Sequence, residues 1–190
     1  DGAKILAHTR VEGPGYVGKE THLVGGKIRP GCSLGPVCRI GGEIEETVFL
    51  GYSNKYHDGF IGHSYIGEWV NLGAGTSNSD LKNNYSSVKV NWAGKEISSE
   101  MIKVGSFIGD HVKAGIGTLL NTGIYIGLGS NIFSGGMPSN KFIPSFIWGD
   151  NENWQEYHWE KFIATVETVR GRRKISLSTS EKDLFRKIFE

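Results

Sequence analysis

From Ile102 onward an apolar residue returns at every sixth position: Ile102, Ile108, Ala114, Leu120, Ile126 and Ile132. Three of these are followed directly by glycine, at Gly109, Gly115 and Gly127. The same step links Ile5, Val11, Val17 and Leu23, then Ile28, Leu34 and Ile40, then Phe60, Ile66 and Leu72, with a short phase shift after each group. Four positions after these anchors the residues are mostly small: Thr9, Gly15, Thr21, Cys32, Cys38, Val70, Thr76, Val112, Thr118 and Ser130. Ordinary strands with accidental spacing would not hold six anchors in unbroken register. Each hexad therefore reads as a short strand and a turn, with the anchor inward, the small residue near a corner and glycine supplying backbone freedom. Three hexads close one triangular coil. Because a single coil cannot bury its own apolar face, coils must stack and the ends need caps. The predicted fold is all-β, a parallel β-helix over residues 1–137.

Two stretches interrupt the period, Gly41 to Gly59 and Asn78 to Met101, and loops that break a regular scaffold are where function tends to sit. In the second, at about residues 78–101, Val88, Val90 and Ile97 flank Ala93-Gly94 as in a projecting hairpin. Beyond Met137 the character changes through Pro138 and Pro144, so residues 138–190 read as an extended segment followed by helices. Trp159, Phe162, Ile163 and Val166 carry helical spacing, and Ser178 with Glu181 forms a capping box for a last short helix, Lys182 to Phe189. These helices are expected to cover the open end of the coil or to pack along a face.

Composition changes this picture little. The 28 glycines among 190 residues are roughly twice the average usage and lack the period of collagen, as a repeat of turns requires. A formal charge of +1 leaves no global field to draw the chain to nucleic acid or to an anionic membrane, so any anion site must be local. The uncharged stretch Thr118 to Asn140 is broken by polar residues and glycine, and nothing at Asp1 resembles a signal peptide, which makes a cytoplasmic protein the expectation. Cys32 and Cys38 both take small-residue positions and read as reduced packing residues.

Asn71-Leu72-Gly73-Ala74-Gly75-Thr76, preceded by His57 and followed by Asp80-Leu81-Lys82 and Val88-Lys89-Val90, resembles the acetyltransferase half of the bifunctional sugar-1-phosphate nucleotidylyltransferases that make UDP-N-acetylglucosamine. Lys89-Val90-Asn91, Gly94-Lys95 and the run Val104 to Lys113 are similar to the archaeal and uncharacterised bacterial branch. The likeness covers roughly residues 5 to 135, and Pro144 to Asp150 matches the uncharacterised branch alone. It implies a left-handed β-helix, a homotrimer, acetyl-CoA as co-substrate and a sugar phosphate as acceptor. It also implies a nucleotidylyltransferase domain ahead of Ile5.

Residue by residue, the resemblance makes His57 the general base on the sugar amine, a role that suits a side chain exchanging its proton near neutral pH. Arg29 matches a phosphate-binding arginine, Asn71 a sugar contact and Lys89 a lysine of the same region. Phe60 replaces a tyrosine that contacts substrate, and Asp80 an asparagine near the acetyl group. Ser86 and Glu45 replace lysines. Ala74 belongs to the small residues that would admit the acetyl-CoA arm, and Arg172 and Arg173, with Arg170 and Lys174, suit its 3′-phosphate across a trimer interface. The lost positive charges weaken phosphate binding, so a second class of function stands beside catalysis: a trimerisation or regulatory module of a sugar-1-phosphate nucleotidylyltransferase. A zinc hydrolase fits poorly, since His57 and His63 are six apart and would sit on diverging corners.

Overall fold

The computed structural model describes residues 1–133, 135–149 and 153–190; Asp150, the last residue of the Pro144 to Asp150 match, lies outside the described residues. Short strands pass around three faces, each pairing in parallel with the strands one coil before and after it. The first face stacks Lys4–Ile5, His22–Ile28, Arg39–Glu45, Asn54–Lys55, Asn71–Leu72, Lys113–Ala114, Asn131–Ile132 and Ile147–Gly149. On the second face, Thr9–Val11 and Phe60–Gly62 pair with the later halves of His22–Ile28 and Arg39–Glu45, and Ser77–Asn78 pairs with Leu119–Leu120. The third stacks Gly15–Val17, Cys32–Leu34, Val48–Gly51, Tyr65–Glu68, Phe107–Ile108, Tyr125–Ile126 and Phe142–Ile143.

Register sets like on like. Leu23 lies over Ile40, Ile28 over Ile44, Leu34 over Phe49, and Ile66 over Ile108 and then Ile126, all buried. From Thr21 onward the small corner residues are buried too, and several of their hydroxyls bond to peptide carbonyls of the next coil. Thr21 donates to the Gly35 carbonyl at 2.6 Å, Ser53 to Gly67 at 2.8 Å and Ser130 to Pro144 at 2.6 Å. Serine and threonine thus satisfy buried backbone groups where consecutive faces meet. Cys32 and Cys38 are buried and unbridged, and burial pushes the Cys38 thiol up to about 11.

Four expectations need correction. Gly41 to Gly59 is not an interruption: Ile44, Phe49 and Lys55 point inward there, and the period fails only because these rungs are four to six residues long and one anchor is a lysine. Phe60 faces outward opposite Glu43, and Ile61 fills the core. Ile102 is exposed; the interior position opposite Leu120 belongs to Asn78, whose amide group bonds to both the N–H and the carbonyl of Gly62 at 2.7 and 2.9 Å. Parallel pairing also runs past Met137, since Phe142–Ile143 and Ile147–Gly149 each continue a ladder. Ile5 and Val11, in the first coil of the described residues, are exposed.

Between residues 78 and 104 the chain leaves the coil, and Lys89–Trp92 and Lys95–Ser98 form an antiparallel hairpin. It folds back so that Trp92 meets Tyr125 edge-on at 5.1 Å.

The helices α1 (Trp159–Gly171) and α2 (Thr179–Phe189) pack along the corner between the third and first faces, not over an open end. That corner carries an aromatic column in which Tyr52 stacks on Trp69 at 4.3 Å and Trp69 on His111 at 6.1 Å. The i, i+3, i+4, i+7 spacing of Trp159, Phe162, Ile163 and Val166 turns one side of α1 onto this column. Ser178 caps α2 reciprocally with Glu181. Arg170 lies over the Trp69 ring at 5.4 Å and pairs with Glu181 at 2.8 Å, joining both helices to the coil. No helix among the described residues is long and apolar enough to cross a membrane.

This layer is acid-sensitive by construction. Desolvation against Trp69, Phe162 and Phe185, with smaller contributions from Lys113 and Arg170, pushes the His111 imidazole down to about 3 from its ordinary 6.5. The unfolded chain therefore binds the extra proton between those values, and stability falls with pH across that window, by roughly 2 kcal/mol from about pH 7 to about pH 5. Hydrogen bonds from Ser178 and Arg170 hold Glu181 down to about 2, so its contribution persists above its ordinary carboxylate pKa of 4.5 and is lost below it. Near-ultraviolet circular dichroism should report loosening of the aromatic layer on acidification, and His111→Leu should move that transition to lower pH.

Candidate functional site

The corner between the first and second faces is built on glycine. Gly26, Gly42 and Gly59 stack on successive coils, all with positive φ. A Cβ at these positions would lie 2.2 Å from the Gly42 carbonyl oxygen, 2.5 Å from that of Gly59 and 2.1 Å from that of Thr76. Only glycine lets the corner close this tightly. The result is a shallow groove lined by His8, Gly25, Tyr56, His57, Asp58 and Ala74. A second hollow, lined by Lys27, Glu43, Gly59 and Phe60, opens from it and shares Gly26 and Asp58. His57 is exposed at the head of this groove, its ring edge-on to Tyr56 at 5.2 Å.

Along the second face the groove changes character. The Phe60 ring and the Asp80 carboxylate converge above Gly62, where a Cβ would come within 2.4 Å of Phe60 Cζ and 2.8 Å of Asp80 Oδ2. Asp80 does not point freely into the groove: its Oδ2 holds His63 Nδ1 at 2.7 Å, and His63 Nε2 faces Glu46 at 3.5 Å. Arg29 is likewise engaged, 3.3 Å from Glu43 and 3.1 Å from Glu45, while Lys27 reaches Glu43 at 3.5 Å. Lys27 and Arg29 are thus both already paired with carboxylates.

Of the residues singled out from the sequence, the structure gathers His57, Ala74, Phe60, Arg29 and Asp80 on the second face and its two corners. The others lie elsewhere on the chain. Asn71 is exposed on the first face beside Asn54. Arg172 and Arg173 follow the end of α1 and line a hollow with Tyr52, Asn54 and Trp69. Lys89 is on the hairpin, paired with Glu96 at 2.6 Å. His57 and His63 stand at opposite ends of the strand Phe60–Gly62. Sequence reasoning passed over the His63–Asp80 pair and Lys55, and following the shortened rungs through the glycine corner would have put Lys55 in the core.

No family model matches the chain. Over 110 residues, 57% of the chain, it is 40% identical to the bifunctional sugar-1-phosphate nucleotidylyltransferase/acetyltransferase of Sulfurisphaera tokodaii. Over 133 residues, 69% of the chain, it is 30% identical to the bifunctional protein GlmU of Gloeobacter violaceus. The chain is similar to part of each of these bifunctional enzymes. The matched stretches are 27% and 24% of the two relatives, so the chain spans about a quarter of their length. Among solved structures, AntD, an N-acyltransferase from Bacillus cereus in complex with dTDP and 3-hydroxybutyryl-CoA, superposes with a TM-score of 0.53 at 10% identity, covering 89% of this chain and 87% of its own. A second Bacillus cereus protein, assigned as an acetyltransferase, superposes with a TM-score of 0.51 at 16% identity, covering 89% and 86%. The fold is accordingly the left-handed parallel β-helix of hexapeptide repeats.

Proposed function

We propose that this β-helix carries out CoA-dependent N-acetyl transfer to an amino sugar phosphate, with His57 as the general base. The observation that carries this reading is the groove itself. An exposed imidazole sits at a corner whose surroundings, Gly25, Gly26 and Ala74, are too small to obstruct a thin acyl-CoA arm. In the reaction His57 takes a proton from the acceptor ammonium, the freed amine nitrogen attacks the thioester carbonyl, and the carbon–sulfur bond breaks to release CoA thiol and the amide. Phe60 and Asp80 border the acceptor. Asn71, Arg172, Arg173 and Lys89, which one chain cannot bring to this groove, belong to a site completed by a neighbouring subunit of a homotrimer. A cytoplasmic location is part of this reading. An upstream nucleotidylyltransferase domain would consume the product.

Purified protein should release CoA thiol from acetyl-CoA when supplied with an amino sugar phosphate. A trimeric preparation that consumes no acetyl-CoA with any amino sugar or amino sugar phosphate would refute the catalytic reading.

The second reading is a non-catalytic module that trimerises and regulates a sugar-1-phosphate nucleotidylyltransferase. Its support is the engagement of Arg29 by Glu43 and Glu45 and of Asp80 by His63. Titration calorimetry separates the two, because an assembly module gives trimers without acetyl-CoA binding. The same ion pairs yield a graded prediction. Glu45→Gln frees part of the Arg29 charge and should lower the KM for a phosphorylated acceptor by roughly fivefold, the scale of one partly exposed ion pair. The unphosphorylated amine should be unaffected.

A further inference from the structure

The interior column of the first face holds Leu23, Ile40, Leu72, Ala114 and Ile132, and in the middle of it stands Lys55. Its side chain is fully buried, in the position its register neighbours give to aliphatic groups. The ammonium does not reach solvent. It turns back along its own chain and donates to the peptide carbonyls of His57 and, at 2.7 Å, Asp58. Desolvation pushes it down to about 8, with the Asp58 carboxylate acting weakly the other way.

For folding alone this is a poor choice. Burying an ammonium is costly, and replacing such a group by an apolar side chain of similar volume is commonly neutral or stabilising. What the charge does instead is local. It joins two consecutive carbonyls of the corner Tyr56 to Gly59, the segment that carries His57. The same corner is held from the coil above by Gly75 N–H on the Asp58 carbonyl at 2.9 Å and from the coil below by Glu43 N–H on the Gly59 carbonyl at 3.0 Å. Behind this corner only glycine fits, since a Cβ on Gly42, whose φ is positive, would stand 2.5 Å from the Gly59 carbonyl oxygen and 3.1 Å from that of His57. The lysine thus closes a cradle of hydrogen bonds around the backbone of His57.

We propose that Lys55 is a positioning residue for His57: its buried ammonium holds the His57 and Asp58 carbonyls so that the imidazole is presented to the groove, at the expense of the fold. This rests on the reading of His57 as the base, and the test keeps the two apart. Lys55→Met, close in length and without charge, is made in the full chain, and three quantities are compared with the parent protein: melting temperature, acetyl-transfer kinetics and the nuclear magnetic resonance signals of the His57 ring. The expected result is a melting temperature equal to or above the parent's. The kcat should fall by about 10- to 100-fold with the KM for acetyl-CoA within twofold, and the His57 signals should shift or broaden while those of His111 stay in place. Unchanged kcat and unchanged His57 signals overturn the proposal. So does a fall in melting temperature with His57 unperturbed, which would make Lys55 a structural residue. If Lys55→Met does not fold, Lys55→Gln, which keeps a hydrogen-bond donor, is read by the same His57 signals. Were the parent itself inactive, the base reading would fail, whereas the His57 signals would still decide whether Lys55 positions that corner.

Discussion

The His57→Ala protein is expected to lose acetyl transfer by roughly 10²- to 10⁴-fold, the range a positioned general base contributes. It should keep the melting temperature of the parent within about a degree, because substitution of an exposed side chain away from structural contacts changes stability little. His57 is exposed, and its corner is held by backbone groups and Lys55 rather than by its own ring. The loss should fall on kcat, since deprotonating the amine matters in the transition state and hardly at all for binding acetyl-CoA. His63 provides the control. Its imidazole is held by Asp80, so His63→Gln should perturb the far end of the groove and leave a measurable rate. Equal loss in both variants would mean that His57 has no special place, and the assembly reading would gain.

The largest stability effect is expected at Phe162. This ring is almost wholly buried and meets five aromatic neighbours, Phe146, Tyr157, Trp159, Phe185 and His111, at centroid distances of 5.0 to 6.1 Å. Phe162→Ala should cost about 3–5 kcal/mol, combining lost burial with a cavity that the rigid coil behind it cannot close. The effect should also be regional. The coil has its own core, running from Leu23 to Ile143, and the helices rest on a second cluster around Phe146, Phe162 and Phe185. Far-ultraviolet circular dichroism should therefore show the helical signal melting first while the β signal persists. A single coincident transition would mean that the helices and the coil form one cooperative unit.

Periodicity made the coil legible because each hexad records the same physical demand, an apolar side chain inward and a small one where faces meet. It lost register where rungs shorten between Ile40 and Ile66, and where a lysine stands in an aliphatic column, since neither feature keeps the six-residue step. A strict six-residue step puts Phe60 inward, one residue out of phase with Ile61, for the same reason. The outward direction of Phe60 nevertheless suits the groove role assigned to it.

The site was readable as a set of residue types at set spacings but not as an arrangement. That Glu45 meets Arg29 and that Asp80 meets His63 depends on which rungs are neighbours, and partners sixteen and seventeen residues apart in the chain leave no local pattern. The repeat, the capping box and the amphipathic face of α1 are local or periodic, and the amino-acid sequence by itself determined them. Tertiary structure alone decided that the helices lie along the aromatic corner, that the second face pairs its cations with carboxylates, and that a buried lysine stands behind His57. Each of these depends on burial and on contacts between coils, which come into being only when the rungs stack.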